Sequence, residues 1–388
     1  MYIDYTPEQQ ALRDQLRAYF VRLVTPEYQA ELGETEGGGP LYTKALRQLG
    51  ADGWLGVGWP KEYGGQGRTP IEQFVFFDEA SRAGVMLPML TINAVGPAIM
   101  EHGSEAQKKK YLPAILRGEC HFAIGYTEAS SGTDLASLRT KAVRDGDSWV
   151  INGSKLFTSQ AEFADFIWLA ARTDPEAPKH KGITWLILPM DTPGVDVRPL
   201  KTVLGSSEFS ELYLDEVRVP VANRVGGEND GWRVAMVTFS FERGTSLVSE
   251  MVEARRQLDE LVKVAKVVGR GRGTAWDDTG LRREIGHAAA ELDALWNLVK
   301  RTVSEAARTG VPGVGASVVK LYYTELIQRL GDLAMRVLDR ASLSLDDVYD
   351  HSGHFVEERL RVLALTIAAG SSQIQRNIIG ERILGLPR

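Results

Sequence analysis

FAIGYTEASSGTDLASLRTKAVRDGDSWVINGSKLFTSQ, residues 122–160, is the stretch on which the reading of this chain turns. It opens on a short apolar run. It then breaks into a polar loop carrying Thr127, Glu128, Ser130, Ser131, Gly132, Thr133 and Asp134 before turning strand-like. The β-prone segments 149–151 and 155–157 flank Asn152-Gly153. Asn-Gly is the strongest short-range hairpin signal, because both central residues of the tight turn must accept positive φ. The spacing therefore predicts a hairpin that delivers Phe157, Thr158 and Ser159 to one end of a sheet. Loops of this composition mostly satisfy their own backbone, so the loop by itself assigns no chemistry.

Working outward, the β-rich runs 167–171 and 183–188 are separated by the turn clusters Asp174-Pro175 and Thr192-Pro193-Gly194. Short strands at that spacing predict a small β-barrel or sandwich over residues 121–230. Upstream, residues 1–120 read as helical. Thr6-Pro7-Glu8-Gln9 is a capping box with proline at the first helical position, and Leu12, Leu16, Tyr19, Phe20 and Leu23 then share a face. A glycine gap at 37–39 precedes a second helix that ends near Leu49, and glycines with Pro60 make residues 49–67 a compact turn system. Downstream, residues 231–388 return to helix. One helix spans about 232–268, Gly269 to Gly273 break it, a second starts near Leu281, a third covers about 316–338 and a fourth the C-terminus. Long helices with short joins predict an antiparallel four-helix bundle. The expected fold class is α+β with three domains: helical 1–120, β-barrel 121–230 and helical bundle 231–388.

Composition narrows the function. The chain has 388 residues, 44% of them hydrophobic and 25% charged, which is ordinary for a globular protein. A net charge of −6 offers nothing to draw it to nucleic acid or anionic lipid. No apolar run approaches the ~20 residues of a membrane-spanning helix. The single cysteine, Cys120, excludes an internal disulfide framework and fits a reducing cytoplasm. With no partner in sight, it reads as a small buried apolar residue.

Several motifs together carry a resemblance. Thr127-Glu128, Gly132-Thr133-Asp134, Asn152-Gly153-Ser154-Lys155 and Phe157-Thr158-Ser159 resemble the flavin-binding segment of the acyl-CoA dehydrogenase family. The stretches 49–67, 103–119 and 210–232 are similar to that family's N-terminal loop, linker helix and exit strand, so the resemblance covers nearly the whole chain. It implies helical, β-barrel and helical-bundle domains, FAD as cofactor, and α,β-dehydrogenation of an acyl-CoA thioester in fatty-acid or steroid degradation. It also implies an electron-transfer flavoprotein as electron acceptor. In such a reaction a carboxylate removes the α-proton, and burial must raise its pKa toward neutrality.

The resemblance also assigns positions. Most members place the glutamate base in a stretch that here reads Ala368-Ala369-Gly370-Ser371, and alanine cannot take a proton. A minority place it on the first bundle helix before an arginine. Here that is Phe239-Ser240-Phe241-Glu242-Arg243, so Glu242 is the expected base, with Phe239 and Phe241 supplying apolar surroundings. Ile124, Tyr126, Thr127, Gly132 and Thr133 are expected along the flavin. Phe157 stands where the family has tryptophan against the ring, with Thr158 and Ser159 beside it. Ser371 and Gln373 at the start of the last helix are expected near the diphosphate or adenosine end. Thr133, Arg243 and Gly370 are expected near the substrate. No metal site is expected.

Departures bear on assembly. The family's Arg-x-x-Phe-Gly element, which grips a neighbouring subunit's flavin, has no Phe-Gly counterpart in 269–283, and its Gly-Gly-x-Gly turn is replaced by Leu338-Asp339-Arg340-Ala341-Ser342. Actinobacterial steroid-degrading relatives share this pattern and form α2β2 tetramers of two different chains. A homotetramer in which Arg270 or Arg272 substitutes stays open. Three functions also stay open: dehydrogenase, non-catalytic subunit completing a partner's flavin site, and oxidase of the same fold.

Overall fold

Small polar residues fix where the first helices begin. The computed structural model describes residues 5–35, 38–242, 247–309 and 315–387. Thr6 caps α1 (Pro7–Leu23) in a reciprocal box. Its hydroxyl accepts the Gln9 N–H at 3.3 Å, and the Gln9 carboxamide accepts the Thr6 N–H at 3.0 Å. There follow α2 (Pro26–Thr35), α3 (Pro40–Ala51), α4 (Pro70–Arg82), α5 (Gly96–His102) and α6 (Glu105–Leu116). The box recurs as Thr69 with Glu72 before α4 and Ser104 with Gln107 before α6. Helix α2 is an addition to the sequence reading. It is short and mostly polar, and it buries Tyr28 alone among its aromatic and aliphatic side chains, which leaves no periodic stripe to read. Leu12, Leu16 and Phe20 bury the predicted face of α1 against α4. There the buried carboxylate of Glu79 accepts from Arg13 Nε (2.5 Å) and Arg17 Nε (2.7 Å). A π-helical turn, Thr91–Val95, is wholly buried ahead of α5.

The middle of the chain forms β1 (Phe122–Gly125), β2 (Lys141–Asp145), β3 (Ser148–Ser159), β4 (Phe166–Arg172), β5 (Ile183–Pro189), β6 (Val195–Leu200), β7 (Phe209–Pro220) and β8 (Arg224–Val225). These eight strands make one sheet in the order β6-β7-β3-β2-β4-β5-β8, with β1 paired in parallel to β4. The sheet curls round a shared core that includes Trp149, Ile151, Leu169, Leu186, Leu188 and Leu212, giving the barrel-like middle layer.

The expected Asn152-Gly153 hairpin is not formed. Strand β3 runs straight through it, and the tight turn lies upstream at Gly146-Asp147, between the paired residues Asp145 and Ser148. Gly146 there adopts φ 59°. Asn152 instead lies opposite a β-bulge in β7, where Asp215 and Glu216 face it alone, the register shifts between Ile151 and Gly153, and Glu216 takes φ 50°. The Asn152 side chain fills the gap: its Nδ2 donates to Glu216 Oε1 (2.8 Å) and its Oδ1 accepts the Glu216 N–H (2.9 Å). A Cβ on Gly153 would lie 2.7 Å from Thr140 Cα, so the glycine serves a close approach rather than a turn.

By its contacts the chain forms two compact units, Met1–Glu242 and Arg243–Arg388. Of the expected helix over 232–268, the described residues form α7 (Gly231–Glu242) in the first unit and α8 (Leu247–Ala265) in the second, and residues 243–246 lie outside them. The glycine break is a small hairpin of β9 (Gly269–Arg270) and β10 (Gly273–Thr274), turned at Gly271 with φ 59°. Helices α9 (Thr279–Thr309) and α10 (Gly315–Leu338) follow, and α8, α9 and α10 pack on one another. The fourth helix is broken rather than continuous. It comprises α11 (Ser352–Arg361), a 3-10 segment Val362–Thr366, and α12 (Ser372–Ile378), all packed on α10. Ala369 and Gly370 both take positive φ, 51° and 86°, which no helix accommodates.

Candidate functional site

In the first unit, β1 delivers the polar loop and β3 delivers the Phe157 segment, side by side. The Leu156 N–H donates to the Thr127 carbonyl at 2.9 Å. Ile124 is buried in β1, paired with Trp168, so its side chain belongs to the core. Tyr126 and Thr127 are half-buried, while Gly132 and Thr133 are exposed.

Directly after Lys155 the register of β3 against β7 shifts again, and Phe157 takes φ 57°, a costly conformation for a bulky residue. The bulge turns the Phe157 ring outward: it is 54% exposed and touches Phe209 edge-on at 6.1 Å. Thr158 is fully buried next to it, and its hydroxyl has no hydrogen-bond partner. Ser131, in the facing loop, likewise holds a buried hydroxyl without a partner. A strained, exposed aromatic ring next to a buried hydroxyl without a partner marks this end of β3 as a candidate binding surface.

Helix α7 is fastened beside this loop. Trp185 Nε1 donates to the Gly231 carbonyl (2.8 Å) and Trp168 Nε1 to Thr238 Oγ1 (3.3 Å). Its other neighbours are the π-helical turn 91–95 and α5. Phe239, one turn before Glu242, packs edge-on against Tyr126 at 5.8 Å. The last turn of α7 therefore begins at the loop. The Glu242 and Phe241 side chains, and Arg243 entirely, lie outside the described residues.

Gly370, Ser371 and Gln373 belong to the second unit. Ser371 caps α12: its hydroxyl accepts the Ile374 N–H at 3.4 Å, and the Ser372 hydroxyl is buried without a partner. Gln373 is exposed. The 365–370 segment is held from below. Buried Lys320 donates to the carbonyls of Leu365 (3.1 Å) and Gly370 (2.7 Å), and Gln375 Nε2 donates to those of Ala369 (3.2 Å) and Gly370 (3.1 Å).

Sequence reasoning missed two charged features. One is the buried ion pair Glu128–Lys155, at 2.8 Å, inside the loop and strand just described. Once β3 is one strand, Lys155 falls at an inward position, and an inward lysine requires a partner. The other is Glu250 on α8, whose carboxyl burial pushes up to about 7, with Oε2 unpartnered. No sequence signal separated it from the other helical glutamates. Cys120 is buried as expected, and desolvation pushes its thiol up to about 12, far from a nucleophile. Among the described residues no helix is long and apolar enough to cross a membrane, and no His/Cys/Asp/Glu group has the makings of a metal site.

Residues 6–119, 123–217 and 229–384 match the N-terminal, middle and C-terminal domains of acyl-CoA dehydrogenase. Over 391 residues the chain is 42% identical to acyl-CoA dehydrogenase FadE29 of Mycobacterium tuberculosis, covering 100% of this chain and 99% of that one. Over 402 residues it is 43% identical to FadE26 of the same organism, with the same coverage. Among solved structures, the ChsE4-ChsE5 complex from M. tuberculosis matches with TM-score 0.88 at 41% identity, and the Tcur3481-Tcur3483 steroid ACAD with 0.89 at 40%. Both matches cover 100% of each chain.

Proposed function

The chain belongs to the acyl-CoA dehydrogenase family, and from that premise we propose that it desaturates an acyl-CoA thioester with Glu242 as the base. The observation that carries this is the seating of α7: two indole hydrogen bonds and the Phe239–Tyr126 contact bring the Glu242 turn to the polar loop. Glu242 takes the α-proton. The tryptophan-fastened helix fixes where that carboxylate starts, which is most of what a general base needs from its scaffold. Ala369 leaves the alternative base position empty of acid.

FAD is the cofactor that family membership brings, and the residues fit it. Phe157 offers an exposed ring, Thr127 and Ser159 flank it, and Ser131 and Thr158 hold hydroxyls that lack partners in the protein. Ile124, Tyr126, Gly132 and Thr133 complete the loop side, and Ser371 and Gln373 are assigned to the far end. When bound, FAD supplies the hydride acceptor for the β-hydrogen, and we assign an electron-transfer flavoprotein as the onward acceptor. Thr133, Arg243 and Gly370 are assigned to the thioester side. Identity of about 40% to a structure named a steroid ACAD supports a bulky, ring-bearing acyl group.

A hetero-tetramer with a related chain follows from the second unit. Of the two arginines that could replace the family's flavin-gripping arginine, Arg272 is exposed and keeps a homotetramer as the competing assembly, whereas Arg270 is committed internally. It donates to the Arg336 carbonyl (3.0 Å) and pairs with Asp278 (3.4 Å), while Arg336 pairs with Glu284 (2.6 Å). Asp339 lines the same groove. Arginines already neutralised by neighbouring acids make a poor diphosphate grip. The α2β2 arrangement is supported further by matched structures whose names join two different proteins.

The test is Glu242→Gln in the purified assembly. Loss of dehydrogenation with bound flavin retained supports the reading. Unchanged activity would instead support a non-catalytic subunit, the reading that Ala369 favours. Full flavin occupancy in the chain expressed alone would count against the hetero-tetramer.

A further inference from the structure

The loop 126–140 has little regular structure, and five of its main-chain groups are met by three side chains, the buried Glu128 and Lys155 and the half-buried Arg172. Glu128 reaches forward across the loop: Oε2 accepts the Arg139 N–H (2.6 Å) and Oε1 the Thr140 N–H (2.8 Å). Lys155, fully buried on β3, donates to Glu128 Oε1 (2.8 Å) and to the Tyr126 carbonyl (3.3 Å). Arg172 on β4 donates to the carbonyls of Ala136 and Leu138. A lysine with no exposed surface is costly unless an acid faces it, and nothing in the sheet core requires one here. The pair sits at one place only: under Tyr126-Thr127, one residue before the bulge that turns Phe157 outward.

We propose that Glu128 and Lys155 are positioning residues for the flavin ring, holding the Tyr126–Thr127 main chain and the Phe157 bulge at a fixed separation and placing a compensated cation beneath them. This rests on the flavin-site reading above. The pair does not touch the ligand. It acts by holding the residues that do, and by its charges. Reduction brings negative charge onto the flavin ring, so a buried carboxylate stripped of its lysine opposes reduction, whereas the intact pair does not. Two amide N–H donors remain on Glu128 when the lysine is lost, and hydrogen bonds to the charged form favour its ionisation.

The experiment uses the flavin-loaded assembly carrying Lys155→Met, Lys155→Arg, or Glu128→Gln with Lys155→Met. FAD dissociation is followed by flavin fluorescence, and the midpoint potential by spectroscopic titration. Lys155→Met is expected to weaken FAD binding at least tenfold and to lower the potential of the flavin that remains. Lys155→Arg restores the cation and moves the potential back toward the parent. The double variant buries no lone charge, so it reports geometry without the folding defect that a stranded charge brings. It is expected to keep the weakened binding. Parental FAD affinity and potential in both Lys155→Met and the double variant would overturn the proposal while leaving the flavin site intact. A parent assembly that holds no FAD would overturn both.

Discussion

Two buried lysines hold two irregular segments of this protein, and they do so differently. In the first unit, Lys155 works with a carboxylate, and Glu128 spends its other lone pairs on main-chain amides of the loop. In the second unit, Lys320 donates to the carbonyls of Leu365 and Gly370, beside the Gln375 carboxamide. The first arrangement joins two segments far apart in sequence through opposite charges. The second ties one chain reversal to the helix beneath it. The first unit also keeps the glutamate proposed as base, while the second has alanine at the position where most relatives keep theirs.

Breaking the chemistry of this contrast has the largest expected effect. Glu242→Gln should lower kcat by roughly 10²–10⁴-fold with little change in thermal stability, as removal of a general base does. Turnover with a saturating acyl-CoA and a dye acceptor measures it. Next come the two lysine systems. Glu128→Ala strands a buried cation and two amide donors, so it should cost about 3–5 kcal/mol in urea unfolding. Lys320→Met leaves neutral carbonyls behind and should cost less, about 1–3 kcal/mol. Equal losses would erase the distinction drawn here.

Acidity sharpens the contrast, because Glu128 in the first unit and Glu250 in the second are shifted in opposite directions. Glu128 sits in a net favourable setting: burial opposes its ionisation, but Lys155 and the amide donors outweigh it and hold its pKa low. Its contribution is therefore present above the ordinary carboxylate range and is lost as pH falls through its depressed folded value. Glu250 is raised to about 7 by burial, so its folded form binds the extra proton between its unfolded value and 7. Stability from that group declines as pH rises across the same window, by about 3 kcal/mol in all. Glu250→Gln should flatten this decline between pH 5 and 7 without altering the acid limb. A pH series of denaturation midpoints reads both.

The smallest effects concern two glycines. Gly153→Ala forces a Cβ against the Thr140 backbone and should cost about 1–3 kcal/mol. Gly146→Ala meets no atom within 4 Å and suffers only its positive φ, about 1 kcal/mol. The opposite order would restore Asn152-Gly153 as the turn.

That pair of glycines shows where the sequence misleads. Both Asp145-Gly146-Asp147 and Asn152-Gly153 carry turn chemistry, and local propensity ranks the second higher. The ladder to β7 selects the first, because a continuous β3 lets Trp149, Ile151 and Lys155 all face inward. The start of the last helix at Ser371 was legible, but the reversal before it was not: Ala369 gives no hint of a positive φ that is imposed by Lys320 and Gln375 from outside the segment. Helix starts, by contrast, were readable at Thr6, because a capping box is a contact between residues three apart.

The sequence by itself determined the helix–sheet–helix order and the family, and it is the source of the proposal that Glu242 is the base. Each of these is written in local pattern or in motif. Tertiary structure alone decided that Asn152-Gly153 runs on as strand opposite a bulge in β7, that Lys155 answers Glu128 across 27 positions, and that α7 is fastened to the sheet by two tryptophans. These depend on strand register and on partners distant in the chain, and a one-residue change of register reverses which side chains face the core.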